Sequence, residues 1–244
     1  MTMPDTHAPG APRPAHGPAA QRDRDIHELK QRLNREAASA IGMVEAALEA
    51  LWALDPKAAQ EIRDRDERID TEEVAIEEHC LRLMSLQQPF ARAFRELTFV
   101  LKVNADVERI ADHATGIAKA VLKLPAGVRP AWPAALIELG KRVPGACRSL
   151  LAALEREDAQ AARQVKSRDD EIDALHKQLF DQTLAFMAGH RGQEATGLLI
   201  YRIGRDLERV GDLLANIAED IVYLCTGSIV RHEGKIAPSG GPRP

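Results

Sequence analysis

The chain carries an internal duplication that limits the folds open to it. From Asn104 it reads NADVERIADHATGIAK, and from Gly204 it reads GRDLERVGDLLANIAE. With no gap, Asp106, Glu108, Arg109, Asp112, Ile117 and Ala118 recur 100 residues later as Asp206, Glu208, Arg209, Asp212, Ile217 and Ala218. A repeat of this kind has to be read before anything else, because each copy is one structural unit that buries its apolar face against its neighbours. The 244 residues give room for two such units of moderate size.

The units read as helical. Ala, Leu, Glu and Arg dominate and aromatics are only 4% of the chain, a composition that favours helices over strands. Arg24 to Leu54 places Ile26, Leu29, Leu33, Ala37, Ala40, Val44, Leu48 and Leu51 at helical spacing. Asp55-Pro56 then reads as an N-cap followed by proline at the first helical position. A second helix runs through Ile62, Ile69, Ile76 and Leu83 to Pro89, and a third from there to Leu124, broken by Pro125-Ala-Gly127. The plan repeats: a helix from about Ala131 to Arg156 with Pro144 inside it, where a kink is expected, one continuous helix from the Asp158 cap through Met187, and a last helix from Gln193 to Cys225 stopped by Gly227. The second helices match at an offset of 103, Arg65-Asp66, Ile69 and Asp70 returning as Arg168-Asp169, Ile172 and Asp173.

The expected fold is therefore all-α: two tandem, sequence-related antiparallel three-helix bundles packed side by side, over residues 23–126 and 127–227. Residues 1–22, rich in Pro, Ala and Gly, are expected to be a disordered tail that holds His7 and His16, and 228–244 a flexible C-terminal tail. Cys80, Cys147 and Cys225 are scattered and form no C-x-x-C pair, so they read as small apolar residues. No apolar run approaches the roughly 20 residues of a membrane span, and no signal-peptide core precedes the first helix. With 33 basic against 37 acidic residues and no Lys/Arg block, a nucleic-acid partner is not expected.

The duplicated helix carries two patterns. Val100, Val103, Val107, Ile110, Ala114, Ile117, Val121 and Leu124 step by 3 and 4, and Ile200, Ile203, Leu207, Val210, Leu214, Ile217, Ile221 and Leu224 repeat them. All eight positions are apolar in both copies, which core packing fully explains. Glu108 with Asp112, and Glu208 with Asp212, stand one turn apart on the face expected to point away from this seam. Like charges at that spacing cost a few tenths of a kcal/mol, a cost that a solvated outer face gives no reason to repeat. Asp66 with Asp70, and Asp169 with Asp173, form the same pairs on the second helices, beside Ile62 and Ile69 or Val165 and Ile172. Carboxylates next to a core need a partner. Arg65, Arg68 and Arg168 are candidates, and so is a cation held between the second and third helices. Such an all-oxygen set suits magnesium, manganese or iron. His113 and His176 lack a histidine counterpart in the other copy and read as bundle histidines rather than ligands.

The duplicated D-x-E-R-x-x-D-x-x-x-x-I-A element, in two three-helix halves, resembles the PhoU family over about residues 23–226. The resemblance implies a cytoplasmic, non-catalytic regulator of phosphate uptake and phosphate-starvation signalling. It implies as partners the phosphate ABC transporter, through its ATPase subunit, and the sensor histidine kinase of the phosphate response. Contact with membranes would come only through these partners, and a homodimer is expected. It also implies metal ions, singly or as clusters of iron, zinc, manganese or magnesium, at E(D)-x-x-x-D motifs that map onto Asp66, Asp70, Glu108 and Asp112, and onto Asp169, Asp173, Glu208 and Asp212. No organic cofactor is implied. Two departures stand out. Lys119 replaces Glu219 on the first carboxylate stripe and competes with a cation there, and the Pro-rich N-terminal stretch is outside the family pattern. Two alternatives remain. One is a carboxylate-bridged di-iron bundle enzyme, against which no Glu is followed three residues later by His. The other is a metal-free helical adaptor.

Overall fold

The structure is a computed structural model that describes residues 18–125 and 130–228. Among these residues there are seven helices: α1 (Pro18–Ala53), α2 (Pro56–Gln87), α3 (Arg92–Val121), α4 (Ala134–Arg156), α5 (Ala159–Lys166), α6 (Asp169–Gly189) and α7 (Glu194–Thr226). Helices α1, α2 and α3 pack on one another as the first bundle, and α4 to α7 as the second. The expected breaks at Ala126 and Gly127, and most of both expected tails, lie outside the described residues.

The duplication reaches down to the turns. Leu54 and Glu157, equivalent at the offset of 103, both take left-handed φ, 53° and 50°. The next amide in each, Asp55 or Asp158, bonds back to the Ala50 or Ala153 carbonyl at 2.9 Å. Each aspartate then caps the following helix: Asp55 Oδ1 accepts from the Lys57 and Ala58 amides, Asp158 Oδ1 from those of Gln160 and Ala161. An Asp158→Ala substitution is expected to cost about 1 kcal/mol, read as a lower urea midpoint. Gly227 ends α7 at φ 74°.

Two expectations about helix limits change. Helix α1 begins at Pro18, inside the stretch expected as tail. Proline fits the first helical turn, where its missing N–H leaves no bond unmade. The expected helix from Asp158 to Met187 is two helices, broken at Ser167-Arg168. The break is made of tight turns: the Arg168 amide bonds the Val165 carbonyl at 3.1 Å and the Glu171 amide bonds the Arg168 carbonyl at 3.2 Å. Ser167 Oγ competes for backbone by donating to the Gln164 carbonyl. As a result Asp169, Asp170 and Glu171 fall in the first turn of α6, where the free amides favour negative charge. Pro144 stands inside α4 without ending it.

The seam packs as expected. Fifteen of its sixteen side chains are buried, the exception being Leu124, past the end of α3. The halves join through equivalent helices, α3 on α7 and α1 on α4. Lys102 pairs with Asp220 and His113 with Asp206, each at 3.2 Å, so α3 and α7 run antiparallel. Helix α7 is the more enclosed of the two, and even Asp206 and Asp220 on it are buried.

Candidate metal centres

The carboxylate stripes lie only partly on an outward face: Asp112 is exposed and Asp212 half-buried. Glu108 and Glu208 are half-buried, because the flank of α3 that bears them lies along α2, and that of α7 lies along α6. The stripe was expected on the far side of the seam; it borders the groove between two helices instead. A helix whose apolar arc is served by two or three neighbours leaves little of its circumference free, so b and f positions become flanks.

In the second repeat the groove brings together Asp169 and Asp173 from α6 and Asp212 from α7. One oxygen from each lies within 4.8 Å of the others, the only such group of three His, Cys, Asp or Glu donors among the described residues. Gly211 permits this approach: a Cβ there would press on Ile172 at 3.1 Å. Burial, then the charges of Asp173, Asp212, Asp170 and Glu208, push the Asp169 carboxyl up to about 6. Burial and Asp212 also raise Glu208, which Arg209 and His176 partly offset. Arg209 takes one side of the cluster, donating to Asp212 Oδ2 at 3.0 Å and standing 3.4 Å from Glu208 Oε2. Arg168, a candidate partner for Asp169, is not one: it reaches Ser149 Oγ at 3.5 Å. Asp169 Oδ1 is left buried without a hydrogen-bond donor, and His176 Nε2, beside the cluster, is also buried and unbonded. His176 stacks on Tyr201 with ring centroids 5.3 Å apart. Three converging carboxylates, with Asp169 Oδ1 and His176 Nε2 unbonded, suit a divalent or trivalent cation.

In the first repeat Asp66, Asp70, Glu108 and Asp112 share one field but do not converge as closely. Burial, followed by the charges of Asp112, Glu73, Asp70 and Asp66, pushes Glu108 up to about 7. Burial, Asp112 and Asp70 raise Asp66, while Thr115 and Lys119 pull it down. Lys119 therefore does act on this cluster. Asp70 and Asp112 are exposed. Arg109 turns to Asp106 at 3.3 Å rather than to Asp112, unlike its equivalent Arg209. Glu73, equivalent to His176, joins the first cluster, and so does Glu36 from α1, whose carboxyl burial and the charges of Glu72 and Glu73 push up to about 8. Neither glutamate was among the expected site residues.

These features define a class: a duplicated helical-bundle protein with an acidic groove between the last two helical segments of each repeat. The PhoU domain model matches residues 33–121 and again 136–221. The chain belongs to the PhoU family. It is 33% identical over 207 residues to a phosphate-specific transport system accessory protein PhoU homolog of Xylella fastidiosa, covering 84% of this chain and 86% of that protein. It is 33% identical over 211 residues to the homolog of Streptococcus pneumoniae, covering 86% and 97%. The crystal structure of the phosphate transport system regulatory protein PhoU from Streptococcus pneumoniae superposes with a TM-score of 0.79 at 31% identity, over 86% of this chain and 99% of that one. PhoU from Pseudomonas aeruginosa superposes with a TM-score of 0.81 at 28% identity, over 84% and 99%.

Proposed function

We propose that this chain is a cytoplasmic negative regulator of phosphate uptake and phosphate-starvation signalling. It acts by contact with the ATPase subunit of the phosphate ABC transporter and with the sensor histidine kinase of the response, and it holds metal ions in its acidic grooves. The match of both repeats to the PhoU domain is the observation that supports this most. The relatives' descriptions as transport accessory and regulatory proteins agree with it. Two exposed apolar groups offer area for protein partners or a second copy: Leu86, Phe90 and Phe94 near the α2–α3 turn, and Phe180, Leu184 and Leu198 on α6 and α7. No helix among the described residues is long and apolar enough to cross a membrane, so membrane association would run through partners.

Asp169, Asp173, Glu208 and Asp212 would hold a metal in the second repeat, and Asp66, Asp70, Glu108 and Asp112 in the first. A bound cation there would neutralise carboxylates from two helices and fix the groove between them. The expected result of deleting the gene is expression of phosphate-starvation genes in high phosphate, read with a reporter and restored by the parent chain. Repression that persists without the chain would rule the regulatory reading out.

A further inference from the structure

We infer that the cleft between α1 and α2 of the first repeat binds a compact dianionic oxyanion, a phosphate ion or a phosphoryl group, between the guanidinium groups of Arg35 and Arg68.

The two repeats differ here in charge, position by position. At the offset of 103 that relates Asp55 to Asp158, Glu138 and Glu171 of the second repeat correspond to Arg35 and Arg68 of the first, and Lys141 and Arg142 correspond to Ala38 and Ser39. In the second repeat these four charges cancel. Lys141 donates to Glu138 at 2.8 Å, and Arg142 pairs with Glu171. The first repeat exchanges both carboxylates for arginines and lacks both of their basic partners. Arg35 and Arg68 enter no hydrogen bond or ion pair among the described residues, and the Ser39 hydroxyl, one turn along α1 from Arg35, is unbonded among them too.

Arg35, Ser39 and Arg68 line one cleft of about 490 Å³, beside the buried Ile69. The corresponding cleft of the second repeat, where Arg142 and Glu171 meet beside Ile172, is about 330 Å³. The acids that line the first cleft do not cancel its two arginines. Glu72 accepts from Arg32 Nε at 2.8 Å. Glu36 is 3% exposed, where the second repeat has the fully buried Leu139. Burial, followed by the charges of Glu72 and Glu73, pushes its carboxyl up to about 8, so at neutral pH it keeps its proton. Two positive charges are left over. Sharing one cleft, they repel each other, and an anion between them removes that cost. Guanidinium forks match the oxygen edges of a phosphoryl group, and the free serine hydroxyl adds a donor. The first acidic groove lies on the other flank of α2, against α3, so the two sites are separate.

The inference depends neither on the regulatory role nor on metal in the acidic grooves. The test is isothermal titration calorimetry of the full chain in chelator, so that no anion is held through a metal. The ligands are inorganic phosphate and phenyl phosphate, a phosphoryl monoester. The proteins are the parent, Arg35→Gln/Arg68→Gln, and Arg35→Glu/Ala38→Lys/Ser39→Arg/Arg68→Glu, which carries the charge pattern of the second repeat. Arg63→Gln/Arg205→Gln removes the same charge elsewhere. All six substituted positions are exposed, so the variants should fold, with urea midpoints as the check. The expected result is one equivalent bound by the parent, binding weaker by roughly tenfold or more in both cleft variants, and parental affinity in the control. Tighter binding of phenyl phosphate than of phosphate identifies a phosphorylated partner as the source, and the reverse identifies the free ion. No saturable binding of either ligand by the parent, parental affinity in the cleft variants, or an equal loss in the control overturns the inference.

Discussion

Metal-free protein is expected to lose about 2–4 kcal/mol of stability as pH rises from about 5 to 8. Glu36 sets the sign. Burial holds its folded-state pKa up to about 8, against 4.5 for a free glutamate. The folded state therefore keeps a proton that the unfolded state releases. The contribution is whole below pH 4.5 and is lost as pH climbs through the folded value. Glu108, at about 7, and Asp169, at about 6, push in the same direction. Both are only half-buried, so solvent screening reduces their weight. Urea unfolding in chelator at pH 5, 6, 7 and 8 measures the slope. Glu36→Leu should flatten most of it. A parent whose stability rises over this range would show that Glu36 is paired in the folded state.

The reciprocal substitution, Leu139→Glu, is expected to destabilise by about 4 kcal/mol at neutral pH. The leucine is fully buried, so its loss removes roughly 2–3 kcal/mol of transfer energy. The new carboxyl would face Leu179 and Gly204, which provide no donor side chain, adding roughly 1–3 kcal/mol. The two repeats are thus predicted to respond oppositely to the same exchange at one position. Guanidinium unfolding of Leu139→Glu and Glu36→Leu side by side checks this. A change under about 1 kcal/mol in Leu139→Glu would mean that the second core accommodates a carboxyl.

Much of the fold was legible because duplication and helical period reinforce each other. The Val100-to-Val121 steps, their copies from Ile200 to Leu224, and the caps Asp55 and Asp158 are local signals that tertiary packing had no reason to override. The break at Ser167-Arg168 was not legible. No proline or glycine marks it, and a serine hydroxyl bonding backwards to Gln164 gives only a weak sequence signal. The acidic pairs are visible as i, i+4 spacing; Asp112 is exposed as its position on the helix suggests, but Glu108, Glu208 and Asp212 are half-buried. A heptad position says where a residue sits on its own helix, not how many neighbours enclose that helix. Glu36 carries no signal within α1 alone, between Leu33 and Ala37. At the offset of 103 that relates the second helices, it stands opposite Leu139. In the sequence His176 is a lone histidine, and its place beside Glu208 comes only from the packing of α6 on α7.

Each metal site is predicted to belong to two helices rather than to either E(D)-x-x-x-D motif alone. Metal stoichiometry in pair variants of the second repeat decides this. Asp169→Asn/Asp173→Asn empties the α6 side, and Glu208→Gln/Asp212→Asn empties the α7 side. Each is expected to lose the same ion, and the combination of all four changes is expected to lose no more than either pair. If either pair variant keeps parental metal content, or if the losses add, the two-helix site is contradicted.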